Sequence, residues 1–208
     1  MNSTRSSAPS SRAGRTRRRL LDAVVSLLAE TGLASATPGA IAARAGVART
    51  AYLYHFPDRT TLLGALCPRL REGMLELFDA AGRPPTGTEA SDHAIDTYWT
   101  LLAEPAFLAF SELRSAARFD PEVAEAIAGL VEDFDTGRLG GRFGAFAQAG
   151  EDPRFQTSRD LGRFVLEGLA RGGLTYDSED RRRRLISVVK RAVRSLNRKG
   201  GPQDLWPG

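Results

Sequence analysis

Thr37-Pro-Gly-Ala-Ile-Ala-Ala-Arg-Ala-Gly-Val-Ala-Arg-Thr-Ala-Tyr-Leu-Tyr-His-Phe56 reads as helix, tight turn, helix, and this reading decides the fold. Thr37 offers a side-chain oxygen to cap a helix start, and Pro38 follows where a missing N–H costs nothing. Ile41, Ala42 and Ala45 recur at helical spacing. Gly46 supplies the positive φ that a sharp turn between two helices demands. Ala42 is small enough for the second helix to cross closely, and Val47 fills the corner. The second helix, from about Arg49 to Phe56, carries Arg49, Thr50, Tyr52, Tyr54 and His55, side chains suited to phosphates and base edges.

The flanking segments extend this unit. Upstream, Arg17 to Gly32 is amphipathic, with Leu20, Leu21, Val24, Leu27 and Leu28 on one face and Gly32 as its stop. Downstream, Pro57 ends the second helix and Asp58 caps another. An Arg/Leu-rich first helix ending in Glu-x-Gly, a Thr-capped second helix, Ala-Gly-Val, and an aromatic run into His-Phe-Pro-Asp-Arg together resemble the TetR family of bacterial repressors. The resemblance covers roughly residues 15 to 65 and is specific in the order and spacing of its pieces.

It implies an all-α chain: an N-terminal three-helix bundle with a helix-turn-helix, then a helical domain for ligand binding and dimerisation. The expected division is a disordered basic arm over 1–14, the DNA-binding domain over 15–60 and the ligand-binding and dimerisation domain over 61–208. Two positions depart from the family pattern. Tyr52-Leu53 stands where Leu-Tyr is usual, so the family's phosphate-holding Tyr falls to Tyr52 or Tyr54. Ala48 replaces a common Ser, which removes one hydroxyl contact at the helix start.

Charge distribution agrees with a polyanion reader joined to a different body. Residues 1–60 hold nine Arg against Asp22, Glu30 and Asp58, whereas the other 148 residues hold 20 basic and 22 acidic side chains. The expected DNA contacts are Arg49, Thr50, Ala51 and Tyr52 at base edges or adjacent phosphates. Arg15, Arg17, Arg18, Thr37, Tyr54, His55 and Arg59 are expected mainly to hold phosphates and fix register.

Beyond residue 58 the periodicity gives a long helix to about Ala81, a loop over 82–88, and helices at about 89–103, 106–118 and 121–149. The last of these is open to a break at Gly137 or Gly140-Gly141. Two late helices, about 157–174 and 179–198, carry broad apolar stripes. Leu161, Val165, Gly168, Leu169 and Gly172 on one, with Leu185, Ile186, Val189, Val193 and Leu196 on the other, are expected to pair with a second subunit. The alternative is that both stripes complete the chain's own core. An effector pocket is expected among Tyr98, Trp99, Phe107, Phe110, Glu112, Phe134 and Phe164, with Phe143 and Phe146 nearby.

Enzyme chemistry finds no support. One Cys and two separated His offer no metal-ligand spacing, so no metal is expected, and neither a nucleophile elbow nor a phosphate-cradling or dinucleotide loop occurs. No cofactor is expected. Asp22 and Glu30 interrupt the only signal-like segment, and no apolar run approaches the roughly 20 residues of a membrane span. A cytoplasmic homodimer on double-stranded operator DNA, answering to a small-molecule effector through a shift of the helix from Asp58, is the expectation. The rivals are a ligand-insensitive DNA binder, a small-molecule binder of the same fold without operator binding, and a basic membrane-surface protein.

Overall fold

The computed structural model describes residues 12–82, 85, 89–136, 153–172 and 178–197. Among them lie nine α-helices and no strand. These are α1 (Arg12–Thr31), α2 (Pro38–Arg44), α3 (Arg49–His55), α4 (Arg59–Ala80) and α5 (Glu89–Leu101), then α6 (Pro105–Ala116), α7 (Pro121–Asp135), α8 (Pro153–Gly172) and α9 (Ser178–Asn197). A single 3₁₀ turn, Leu33–Ser35, links α1 to α2. No described helix is long and apolar enough to cross a membrane. Phe143, Phe146 and the glycines at 137, 140 and 141 lie outside the described residues, as does most of the expected 1–14 arm. α1 nevertheless begins at Arg12, three residues inside that arm.

The chain forms two compact units. Among the described residues, the first holds those from Arg12 to Leu70 together with Ala109–Ile127, and the second holds those between Arg71 and Leu108 and those from Ala128 onward. The sequence expectation placed the boundary at residue 60. The first compact unit runs to Leu70 and also takes in the end of α6 and the start of α7.

Local chemistry explains the first unit. Leu20, Leu21, Ala23, Val24, Leu27 and Leu28 recur on one face of α1 and are all buried. Gly32 adopts φ 81°, which turns the chain off the helix end. The Thr37 hydroxyl accepts from Ala40 N at 3.2 Å, capping α2, whose Ile41 and Ala42 are buried. Gly46 takes φ 62° and reverses the chain into α3. The Asp58 carboxylate accepts from Thr61 N at 2.7 Å and caps α4. These hydrogen bonds, from the Thr61 side chain and backbone, hold the Asp58 carboxyl below its ordinary value.

Long-range polar contacts join Ala109–Ile127 to this framework. Leu33 N, an orphan donor after the α1 terminus, donates to Glu112 Oε1 at 2.9 Å. Arg59 holds Asp120 at 2.6 Å and Glu122 at 3.3 Å, while the Thr60 hydroxyl donates to Glu122 Oε1 at 2.5 Å. Leu113 and Val123 are fully buried.

In the second unit α8 and α9 pack along each other. Gly162 is the close-approach point, since a Cβ there would meet Val193 at 3.5 Å and Val189 at 3.8 Å. Ser158, 1% exposed, donates to Asn197 Oδ1 at 2.6 Å and ties the far ends of the two helices. α5 joins the pair through Lys190–Asp96 and Arg194–Asp92 ion pairs. Tyr98 OH donates to Glu167 Oε1 at 2.9 Å, and Arg171 stands 3.7 Å from the same carboxylate, so buried Glu167 is compensated.

Candidate nucleic-acid interface

α3 is seven residues long and has two unlike sides. Tyr52 and Phe56 face inward at 4% and 1% exposure, their rings 5.8 Å apart. Arg49, Thr50, Leu53 and Tyr54 face outward, all exposed, with Tyr54 at 80%. These four recur at i, i+1, i+4 and i+5, one helical face. Ala51 and His55 sit at the margin, half-buried.

This division corrects the sequence assignment at Tyr52. Its ring belongs to the core rather than to the outward face, and burial pushes its phenol above the ordinary tyrosine value. Leu53 was missed: it takes the outward position that the Tyr52-Leu53 inversion vacates for an aliphatic side chain. The signal was present in the i+4 spacing from Arg49.

Beside α3 the first helix supplies cations. Arg12, Arg15 and Arg19 recur at i, i+3 and i+7, and with Thr16, Gly46, Val47, Ala51 and His55 they line an open concavity of about 610 Å³. Arg12 and Arg19 were not among the expected contacts, yet their spacing marks one helix face. Arg19 also donates to Ala45 O at 2.5 Å and Gly46 O at 3.3 Å, satisfying carbonyls at the α2 terminus and stiffening the turn. The Arg17 guanidinium lies 5.3 Å over the Phe56 ring. Arg15, Arg17 and Arg18 are all exposed on α1, and Tyr54 packs edge-on against His55 at 5.1 Å.

Arg59, expected at phosphates, is engaged within the chain. Its guanidinium is held by Asp120 first and Glu122 second, which raises its pKa further. Arg44 is likewise held, bidentate, by Glu30 with both bonds at 2.7 Å. Thr37 stays exposed while capping α2.

The expected effector residues do not form one set. Tyr98, Phe107 and Phe134 cluster in the second unit, with Phe78, at ring separations of 5.7 to 6.2 Å and steep edge-to-face angles. Trp99 instead lies under Arg182. Phe110 and Glu112 belong to the first unit, Glu112 as the acceptor of Leu33 N. Phe164 is 56% exposed, with the Arg163 guanidinium 4.7 Å over its ring.

The apolar stripes of α8 and α9 also divide. Val189 and Val193 are buried within the chain's own α8–α9 packing and leave the expected subunit surface. Leu161, Phe164, Leu185 and Val188 remain exposed at 39–56%. Val165, Leu169, Ile186 and Leu196 are half-buried, and around Gly168 and Gly172 a Cβ would meet nothing within 4 Å.

A capped helix, a glycine turn and a short helix with one side in the core and one side outward define a helix-turn-helix protein. Residues 20–66 match the family described as bacterial regulatory proteins, tetR family. No relative among curated protein sequences matches it. Solved structures share its fold. A transcriptional regulator from Rhodococcus sp. Rha1 is similar at 20% identity and a TM-score of 0.64, with 85% of this chain and 93% of that one covered. Salmonella enterica GusR is similar at 20% identity and TM-score 0.63, covering 89% and 97%. The multidrug binding protein EbrR, complexed with ethidium, is similar at 22% identity and TM-score 0.55, covering 85% and 97%.

Proposed function

We propose that this protein is a sequence-specific, double-stranded DNA-binding transcription regulator of the cytoplasm. It acts as a homodimeric repressor on a palindromic operator and is released by a small apolar or amphipathic effector. The observation that carries the reading is the two-sided α3: Tyr52 and Phe56 anchor it in the core while Arg49, Thr50, Leu53 and Tyr54 project outward beside an arginine-lined concavity. A helix fixed in the core on one side and exposed on the other can enter a major groove without unfolding, and flanking cations neutralise the phosphates.

The exposed Leu161, Phe164, Leu185 and Val188 on α8 and α9 support the homodimer, because burying them against a second copy removes apolar surface from water. Two linked reading helices suit half-sites about 34–36 Å apart. The aromatic cluster around Phe107 and the ethidium held by the structurally similar EbrR support an effector in the second unit. Such an effector acts only through unequal affinity for the two DNA-binding states.

Selection of genomic DNA fragments by the purified protein tests the reading. A two-fold symmetric sequence with half-sites one helical turn apart is expected, and Arg49→Ala is expected to weaken binding about fivefold to a hundredfold through loss of a base contact worth about 1–3 kcal/mol. Selection of no common sequence, or full affinity in the Arg49→Ala protein, overturns it.

A further inference from the structure

The outward face of α3 holds one cation, Arg49, two hydroxyl-bearing side chains, Thr50 and Tyr54, and one aliphatic side chain, Leu53, at 43% exposure. The first three have phosphate or base partners in any duplex. Leu53 does not: the major groove offers donors and acceptors at every base pair and a single apolar feature, the C5-methyl of thymine. On its other flank Leu53 borders an apolar hollow with Ala36, Pro38, Phe56 and Pro57, which leaves the side chain at the rim of the helix's outer face.

We infer that Leu53 is a specificity-determining residue that selects thymine in each half-site by contact with its 5-methyl group; this assignment rests on the operator reading above. Two effects act together. Contact removes the methyl and the Leu53 surface from water, which favours thymine. Over guanine, cytosine or adenine the same side chain displaces water from N7, O6, N4 or N6 and returns no hydrogen bond, which disfavours them. Leu53 lies four residues beyond Arg49, so it sits about 6 Å farther along the helix axis. That distance is one or two base-pair steps from the Arg49 contact at about 3.4 Å per step.

Uracil substitution removes the methyl and changes nothing else on the groove edge. The test takes the DNA selected by the full-length protein and replaces each half-site thymine singly by uracil, measuring affinity for wild-type, Leu53→Ala and Leu53→Met proteins. One position is expected to cost wild type about fourfold per half-site, the effect of one buried carbon group. At that position Leu53→Ala loses nothing further on methyl removal, and Leu53→Met keeps the methyl preference. A sequence-selective complex in which no uracil substitution separates wild type from Leu53→Ala overturns the Leu53 assignment alone. Absence of any sequence-selective complex overturns the operator reading and this assignment with it.

Discussion

Tyr52 and Tyr54 stand two residues apart on one short helix, and replacing each by Ala should damage different properties of the protein. Tyr52 exposes 4% of its surface and packs on Phe56, so Tyr52→Ala leaves a cavity the size of a phenol ring between α3 and the core. Large aromatic to Ala changes in cores cost about 3–5 kcal/mol. In a chain of this length each kcal/mol lowers Tm by about 2–4 °C, giving a fall of roughly 6–20 °C. Tyr54 exposes 80%, and its truncation should shift stability by no more than about 0.5 kcal/mol.

In operator binding the order reverses. A phenol hydroxyl donating to a phosphate is a hydrogen bond to a charged group, worth about 1.5–3 kcal/mol, so Tyr54→Phe should weaken binding about tenfold to a hundredfold. Because the hydroxyl is neutral and displaces no counterion, the slope of affinity against salt should stay that of wild type. Tyr52→Phe keeps the ring in the core and should leave affinity nearly intact. Thermal melts followed by circular dichroism, with titrations of labelled operator at several salt concentrations, read both properties. A Tyr52→Ala protein that melts with wild type yet fails to bind, or a Tyr54→Ala protein that melts far below it, refutes the two-sided description of α3.

Gly46→Ala forces a Cβ into φ 62° and to within 3.1 Å of Arg19 Nη2. The guanidinium can move aside, so the cost is chiefly backbone, about 1–2 kcal/mol in urea denaturation; equal midpoints for the two proteins would sink the argument. The Asp58 cap makes a pH prediction. Its carboxyl titrates below the ordinary 3.8 in the folded chain because Thr61 donates to the charged form, so the stabilisation is complete above pH 3.8 and disappears as pH falls through the lower folded value. Asp120, lowered by Arg59, changes stability in the same direction. The stability gap between wild type and Asp58→Ala should therefore be constant near neutrality and close in acid, and a gap that widens on acidification would contradict the cap.

What could be read from the chain alone was whatever depended on near neighbours. Thr37 capping Ala40, Gly46 at positive φ, Asp58 capping Thr61 and the buried face of α1 each rest on residues within a few positions of one another. Assignments that needed to know what stood across space fared differently. Arg59 reads as a phosphate ligand in the linear sequence, but its partner Asp120 lies 61 residues away. Glu112 reads as a pocket residue, yet it meets Leu33 N across 79 residues.

The sequence by itself determined the helices, their caps and the turn, because these arise from backbone geometry and hydrogen bonds closed within a turn or two. Only the tertiary structure decided which side of each helix was used. On α3 the helix is too short for periodicity to choose between Tyr52 and Tyr54, and the choice was made by the core against which Phe56 also packs. On α9 the close approach of Gly162 claimed Val189 and Val193 for the chain's own packing, leaving Leu185 and Val188 outward. An apolar stripe states that a face avoids water; what covers that face depends on the chain's other segments, and that is settled only when they are folded together.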